Sequence, residues 1–174
     1  MGRVIQPYIV VTRASALTGP LRQHLEEWFN REFENNSIVH DKPTWYALAR
    51  FENTIIGRLG ILNRKITVGK QPVRISGLSG LAILPEWRRV GIADLILNRA
   101  ELFITHELKA EYGLLICRDE TAPLYLKRGW ERIDSATYFS QKSGIYRFKK
   151  TTMILRCAHR HWPAGEIDLC GLPW

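Results

Sequence analysis

The segment Leu81-Ala82-Ile83-Leu84-Pro85-Glu86-Trp87-Arg88-Arg89-Val90-Gly91-Ile92-Ala93 decides how this chain folds. The apolar run up to Leu84 reads as the end of a strand, and Pro85 stops it because proline has no ladder donor. A basic turn follows, and Gly91 then opens the longest helical pattern, which extends to Leu108. In it Ile92, Leu95, Ile96, Ala100 and Phe103 share one side, and Asp94, Asn98, Glu101 and Thr105 share the other. The first backbone N–H groups of a helix have no partner and sit at the positive end of its dipole. A row of them suits a pyrophosphate. Gly91 allows close backbone approach to a phosphate, and Ala93 is small enough for the helix to press against a ligand. On spacing alone, a plain strand-to-helix junction with a glycine turn explains the segment equally well.

Upstream, Val4 to Thr12 is β-branched and apolar, as a first strand would be. Gly19-Pro20 opens a helix with Leu21, Leu25, Trp28 and Phe29 at helical spacing, and residues 33–43 read as a polar loop ending at Pro43. Trp45–Phe51 and Thr54–Leu62 flank a hairpin turn at Glu52-Asn53. Ile66–Val68 and Val73–Ile75 flank a second turn at Gly69–Pro72, and the last of these strands runs on to Leu84. Its Gly77 and Gly80 suggest a bulge or a close backbone approach. Downstream, Tyr112–Cys117 reads as a buried strand and Thr121–Arg128 as a short helix with Pro123 in its first turn and Gly129 as C-cap. Trp130–Ile133 and Thr151–Cys157 form a final strand pair. The order β-α-β-β-β-α-β-α-β-β describes a mixed α/β domain around one sheet.

The chain has 174 residues, one domain's worth, with 45% hydrophobic and 24% charged residues. It has no apolar run of membrane-spanning length, and its start lacks signal-peptide and myristoylation patterns, so a cytoplasmic protein is expected. Cys117, Cys157 and Cys170 read as reduced, mostly buried thiols, and no histidine or cysteine spacing suggests a metal. The net charge of +8 favours an anionic partner. Basic residues are spread along the chain, and Arg88-Arg89 fall at the strand-helix turn, which points to a phosphate-bearing small molecule rather than nucleic acid.

The stretch from Leu81 to Ala93 resembles the acyl-CoA signature of the GNAT superfamily of N-acetyltransferases, Arg/Gln-x-x-Gly-x-Gly/Ala after a strand and proline, with Arg88, Gly91 and Ala93 in register. Leu124-Tyr125-Leu126-Lys127-Arg128-Gly129-Trp130 resembles the superfamily's second marker, a Leu-Tyr pair before Gly-aromatic. The order of elements follows the superfamily over nearly the whole chain. The resemblance implies a mostly antiparallel central sheet flanked by helices. It implies acetyl-CoA as co-substrate and a small-molecule amine as acceptor, and leaves a homodimer open. Backbone of Leu81, Ala82 and Ile83 would pair with the pantetheine arm, and an N–H near Leu81 would polarise the thioester carbonyl. N–H groups of Arg88, Arg89, Val90, Gly91, Ile92 and Ala93 would hold the pyrophosphate. Tyr125 would protonate the departing thiolate; its alternative role is packing under the short helix. Arg118 and Thr121 stand where many members carry Asn and Ala.

Two subfamilies share weaker features. The Gly-Leu-Ser-Gly-Leu-Ala-Ile strand and a terminal Trp174 resemble aminoglycoside 2′-N-acetyltransferases, and the His161–Asp168 tail resembles Nod-factor N-acyltransferases. Both groups acylate an amine on a sugar. Ser79 and Leu172 stand where the aminoglycoside enzymes carry acids, and a charge of +8 repels a polycation, so another amine, such as an amino sugar, is expected. Ser79 would position a water at the amine, and residues 158–174 would pack near the acceptor, with Trp174 and Asp168 contacting it. Asp119, Glu166, Asp168 and the Trp174 carboxylate are candidate bases. Cys117, in an apolar strand, reads as a packed thiol, so direct transfer in a ternary complex is expected. The alternatives are a non-catalytic acyl-CoA-binding or regulatory module and an N-acyltransferase with a longer acyl donor.

Overall fold

The computed structural model describes residues 6–33 and 38–174; the start of the expected first strand at Val4 and part of the 33–43 loop lie outside them. Strands β1 (Tyr8–Arg13), β2 (Trp45–Phe51), β3 (Thr54–Val68) and β4 (Gln71–Ile83) form an antiparallel run. Helix α1 (Gly19–Phe33) lies between β1 and β2 in sequence, and α2 (Ile92–Leu102) follows β4. Then come β5 (Tyr112–Cys117), α3 (Ala122–Leu126), β6 (Glu131–Ile133), β7 (Thr137–Gln141), β8 (Gly144–Arg147), β9 (Thr151–Arg156) and β10 (Ile167–Asp168). All ten strands belong to one sheet, whose only parallel pairs among the described residues are β4–β5 and β10–β7. The expected mostly antiparallel α/β fold is the one observed.

Alternation along β2 shows why both faces of the sheet need helices. Tyr46 and Leu48 join Leu25 and Trp28 of α1 in one buried cluster. Ala47 and Ala49 join Ile92, Ile96, Leu97 and Ala100 of α2 in another. Successive side chains of a strand point to opposite faces, so a strand buried on both faces reads as one apolar run. Leu97, not Leu95, completes the buried side of α2, and Leu95 is 46% exposed. The expected helical pattern to Leu108 ends in a π-helical turn, Phe103–Glu107, which closes with Leu108 N–H donating to the Phe103 carbonyl.

Three further features depart from the sequence reading. β3 runs unbroken through Asn63-Arg64-Lys65, so the turn after it shrinks to Gly69-Lys70, with Gly69 at a φ of 57°. The β7–β8 hairpin had no apolar alternation to reveal it, because every residue of β8 is exposed. β10 is two residues long and wedges between the end of β3 and β7. The C-terminal segment is thereby built into the sheet. Cys170 is exposed, unlike the buried Cys117 and half-buried Cys157, and all three are free thiols.

Candidate functional site

β4 and β5 are paired only at Ile75–Tyr112, Ser76–Gly113 and Gly77–Leu114. Beyond Gly77 and Leu114 they separate, although β4 continues to Ile83 and β5 to Cys117. β4 carries a bulge at this point. Ser79 pairs with Gly60 and Ala82 with Arg58, so Gly80 and Leu81 have no partner on β3 either. Gly80 has a φ of 61°, and a Cβ there would lie 2.5 Å from the Phe29 ring. Glycine is required at that point by conformation and by space. The result is a stretch of strand with free backbone donors and acceptors facing a cleft of about 290 Å³.

The turn singled out in the sequence follows β4 along the chain. Gly91, at a φ of 88°, is the N-cap of α2, and Arg89 is also left-handed at 63°. The N–H groups of Arg89, Val90 and Gly91 donate to no backbone carbonyl of the described residues, and those of Ile92 and Ala93 begin a helix. Five successive donors therefore face outward at a positive helix end. Val90 is 64% exposed, and Arg88, Arg89 and Gly91 are exposed beside it, so the turn is open among the described residues. The Arg88 side chain turns back, donating from Nε to the Ile83 carbonyl at 2.9 Å and pairing with Glu32 at 3.4 Å. Asp94, the acid of the first helical turn, is paired with Arg128 at 3.1 Å.

Ser79, Leu81, Cys117, Arg118, Thr121, Tyr125 and Trp174 all line the cleft. Tyr125 is 7% exposed, and it faces the cleft from α3. Burial pushes its pKa well above the ordinary phenol value, with Cys117 and Glu101 adding to the shift, so it stays protonated. Cys117 is also pushed up by burial, and its thiol lies 3.7 Å from Met153 Sδ, which makes it a packed thiol and a poor nucleophile. The Trp174 indole lies against Gly77, where β4 and β5 begin to part; a Cβ there would fall 2.7 Å from Cζ2 and nearer still to Cε2 and Nε1. Arg64 holds this tail, donating to the Leu172 carbonyl at 2.6 Å and lying 5.1 Å from the Trp174 ring.

Asp168 is not brought to the cleft: it is exposed and accepts the Cys170 N–H at 2.8 Å. Asp119 is engaged by Arg132 and Thr151, and Glu166 accepts from the Tyr138 hydroxyl at 3.2 Å. None of these three acids lines the cleft or the pocket beside it.

That second pocket, of about 260 Å³, was not legible in the sequence. It is walled by Glu26, Phe29, His40, Asp41, Tyr46 and Arg58, and it meets the cleft at Ser79, Phe29 and His40. His40 sits against Phe29 with ring centroids 5.3 Å apart. Burial lowers its pKa, partly offset by the Ile38 carbonyl and reinforced by Lys150, so the imidazole is neutral at pH 7. Nothing in the residue 33–43 loop distinguished His40 as a sequence. Arg58 could have been found, because it is the one charge inside Ile55-Ile56-Gly57-Arg58-Leu59-Gly60-Ile61-Leu62.

No protein-family model and no curated protein sequence matches this chain. Its structure does match solved ones. YhbS of Escherichia coli, a GNAT family N-acetyltransferase in complex with CoA, is 15% identical with a TM-score of 0.63, over 97% of this chain and 92% of that one. An acetyltransferase of the GNAT family from Staphylococcus aureus Mu50 is 15% identical with a TM-score of 0.58, over 86% of this chain and 99% of that one. FeeM, an N-acyl amino acid synthase from uncultured soil microbes, is 11% identical with a TM-score of 0.58, over 87% of this chain and 92% of that one. At such identities the likeness is one of fold, and this chain has the GNAT fold.

Proposed function

We propose that this protein is an acyl-CoA-dependent N-acyltransferase that moves an acetyl group from acetyl-CoA to the primary amine of a small molecule. The observation that carries the proposal is the parting of β4 from β5 beyond Gly77, together with five outward N–H groups at the start of α2. Free strand edge suits the amide-bearing pantetheine arm, and the helix end suits the pyrophosphate. The Leu81 N–H, in the bulge, would take charge developing on the thioester oxygen.

In this reading the amine enters from the pocket at Ser79 and His40. The ammonium gives one proton to neutral His40, directly or through a water on Ser79. The nitrogen then bonds the thioester carbon as the carbon–sulfur bond breaks. Tyr125 protonates the departing sulfur and is reprotonated by the second hydrogen of the nitrogen. General acid and base contributions of this kind are worth about 10²–10⁴ in rate.

The test is thiol release from acetyl-CoA and longer acyl-CoAs with a panel of small amines. Release with at least one amine, strongest with the acetyl donor, is expected. CoA binding without release for any amine would instead assign the chain to non-catalytic acyl-CoA binding.

A further inference from the structure

Arg58 is 1% exposed, yet among the described residues no carboxylate lies within ion-pairing distance of it. Its Nη1 donates to the Leu25 carbonyl at 3.0 Å, and its guanidinium carbon lies 5.3 Å from the Phe29 ring and 5.3 Å from the Tyr46 ring. Nε is buried without a partner, and Nη2 makes no hydrogen bond. These two nitrogens share one edge of the planar guanidinium, the edge on which a carboxylate makes two parallel bonds. Burial lowers the Arg58 pKa to about 10, so the group still carries its charge at neutral pH. A buried charge left without a counterion is costly unless a ligand supplies one.

Its position indicates which ligand. Arg58 lines the pocket beside the cleft, and its Nη2 lies 3.3 Å from where a Cβ on Gly80 would be, against the bulge that follows Ser79. Glu26 pairs with Lys42 at 2.9 Å within that wall, and Asp41 pairs at 2.5 Å with Arg64, which lies outside the lining, so Arg58 is the one lining charge without an ion-pair partner among the described residues. One positive charge remains, which a monoanion balances and a polycation would oppose. About 260 Å³ is below the roughly 300–1,000 Å³ of drug-sized sites and suits a ligand of amino-acid size.

We propose that the acceptor is an amino acid, its carboxylate held by Arg58 and its amino group, one or two carbons away, presented past Ser79 to the cleft. This rests on the N-acyltransferase reading above.

The experiment measures thiol release with acetyl-CoA and a longer acyl-CoA for matched acceptors: phenylalanine against phenethylamine, alanine against ethylamine, and β-alanine. CoA calorimetry is run on the same preparation. A site built to pair with a substrate group rejects analogues lacking it, so the amino acids should exceed the decarboxylated amines in kcat/KM by at least about a hundredfold. Arg58→Met, which removes the charge and keeps the bulk, should collapse that ratio towards one while CoA binding persists. Equal or better turnover of the decarboxylated amines by the wild type overturns the proposal and leaves the acyltransferase reading intact, whatever the fate of the variant. Silence from all acceptors overturns it as well. CoA heat in that case keeps the cofactor site, and its absence removes the acyltransferase reading too.

Discussion

Replacing Gly77 by alanine should unseat Trp174. The new Cβ would lie 2.7 Å from Cζ2 of the indole and closer to two other ring atoms. Carbon pairs are at their best near 3.5–4.0 Å, so the ring must retreat by roughly an ångström. It is poorly free to do so. The Asp41 N–H donates to the Pro173 carbonyl at 2.6 Å, and Arg64 holds the Leu169 and Leu172 carbonyls. Overpacking of this kind costs about 1–3 kcal/mol, or roughly 2–4 °C of melting temperature per kcal/mol in a chain of this length. Calorimetric or denaturant unfolding of Gly77→Ala, Trp174→Ala and the double variant reads the effect as a cycle. In the absence of the indole, Gly77→Ala should cost almost nothing. If it costs the same with and without Trp174, the two residues are not in contact in the way described.

Tyr125→Phe should lower kcat by roughly tenfold to a thousandfold and leave stability and CoA affinity nearly unchanged, because the ring that packs in the core is kept; steady-state kinetics with thermal melting checks both. Gly91→Asp should abolish CoA-induced stabilisation by placing a carboxylate at the helix N-terminus, and scanning calorimetry with and without CoA reads this. His40 must be neutral to accept a proton and its pKa is lowered, so kcat/KM should hold as pH falls to the ordinary imidazole value of 6.5 and decline only below it. His40→Gln should erase that acidic limb, and a limb that persists would return the role of base to another group.

The sequence disclosed the proposed donor side of the site far better than the proposed acceptor side. The strand, proline, basic turn and glycine from Leu81 to Ala93 are contiguous, so local backbone preferences announce them. Gly77 and Gly80 were legible as a close approach or a bulge, and each turned out to be one of these: the Trp174 contact and the left-handed bulge. The proposed acceptor pocket is assembled from α1, the 38–43 segment, β2, β3 and Ser79 of β4, and no short-range pattern encodes that meeting. His40 and Ser79 are 39 residues apart and share a wall only in the folded chain. β8 and β10 escaped notice for a related reason: one is wholly exposed and the other is defined only by its neighbours in the sheet. Asp168 was a reasonable acid to suspect, but β10 pairing directs it to solvent and to its own turn.

The most direct test of the central claim is calorimetric titration of the protein with CoA, paired with a melting curve. One CoA should bind per chain, and at a hundredfold excess over Kd a ligand of the native state adds about 2.7 kcal/mol, or roughly 5–11 °C in melting temperature. Absence of binding heat together with an unmoved melting temperature would contradict the assignment of the β4–β5 cleft and the α2 N-terminus to an acyl-CoA.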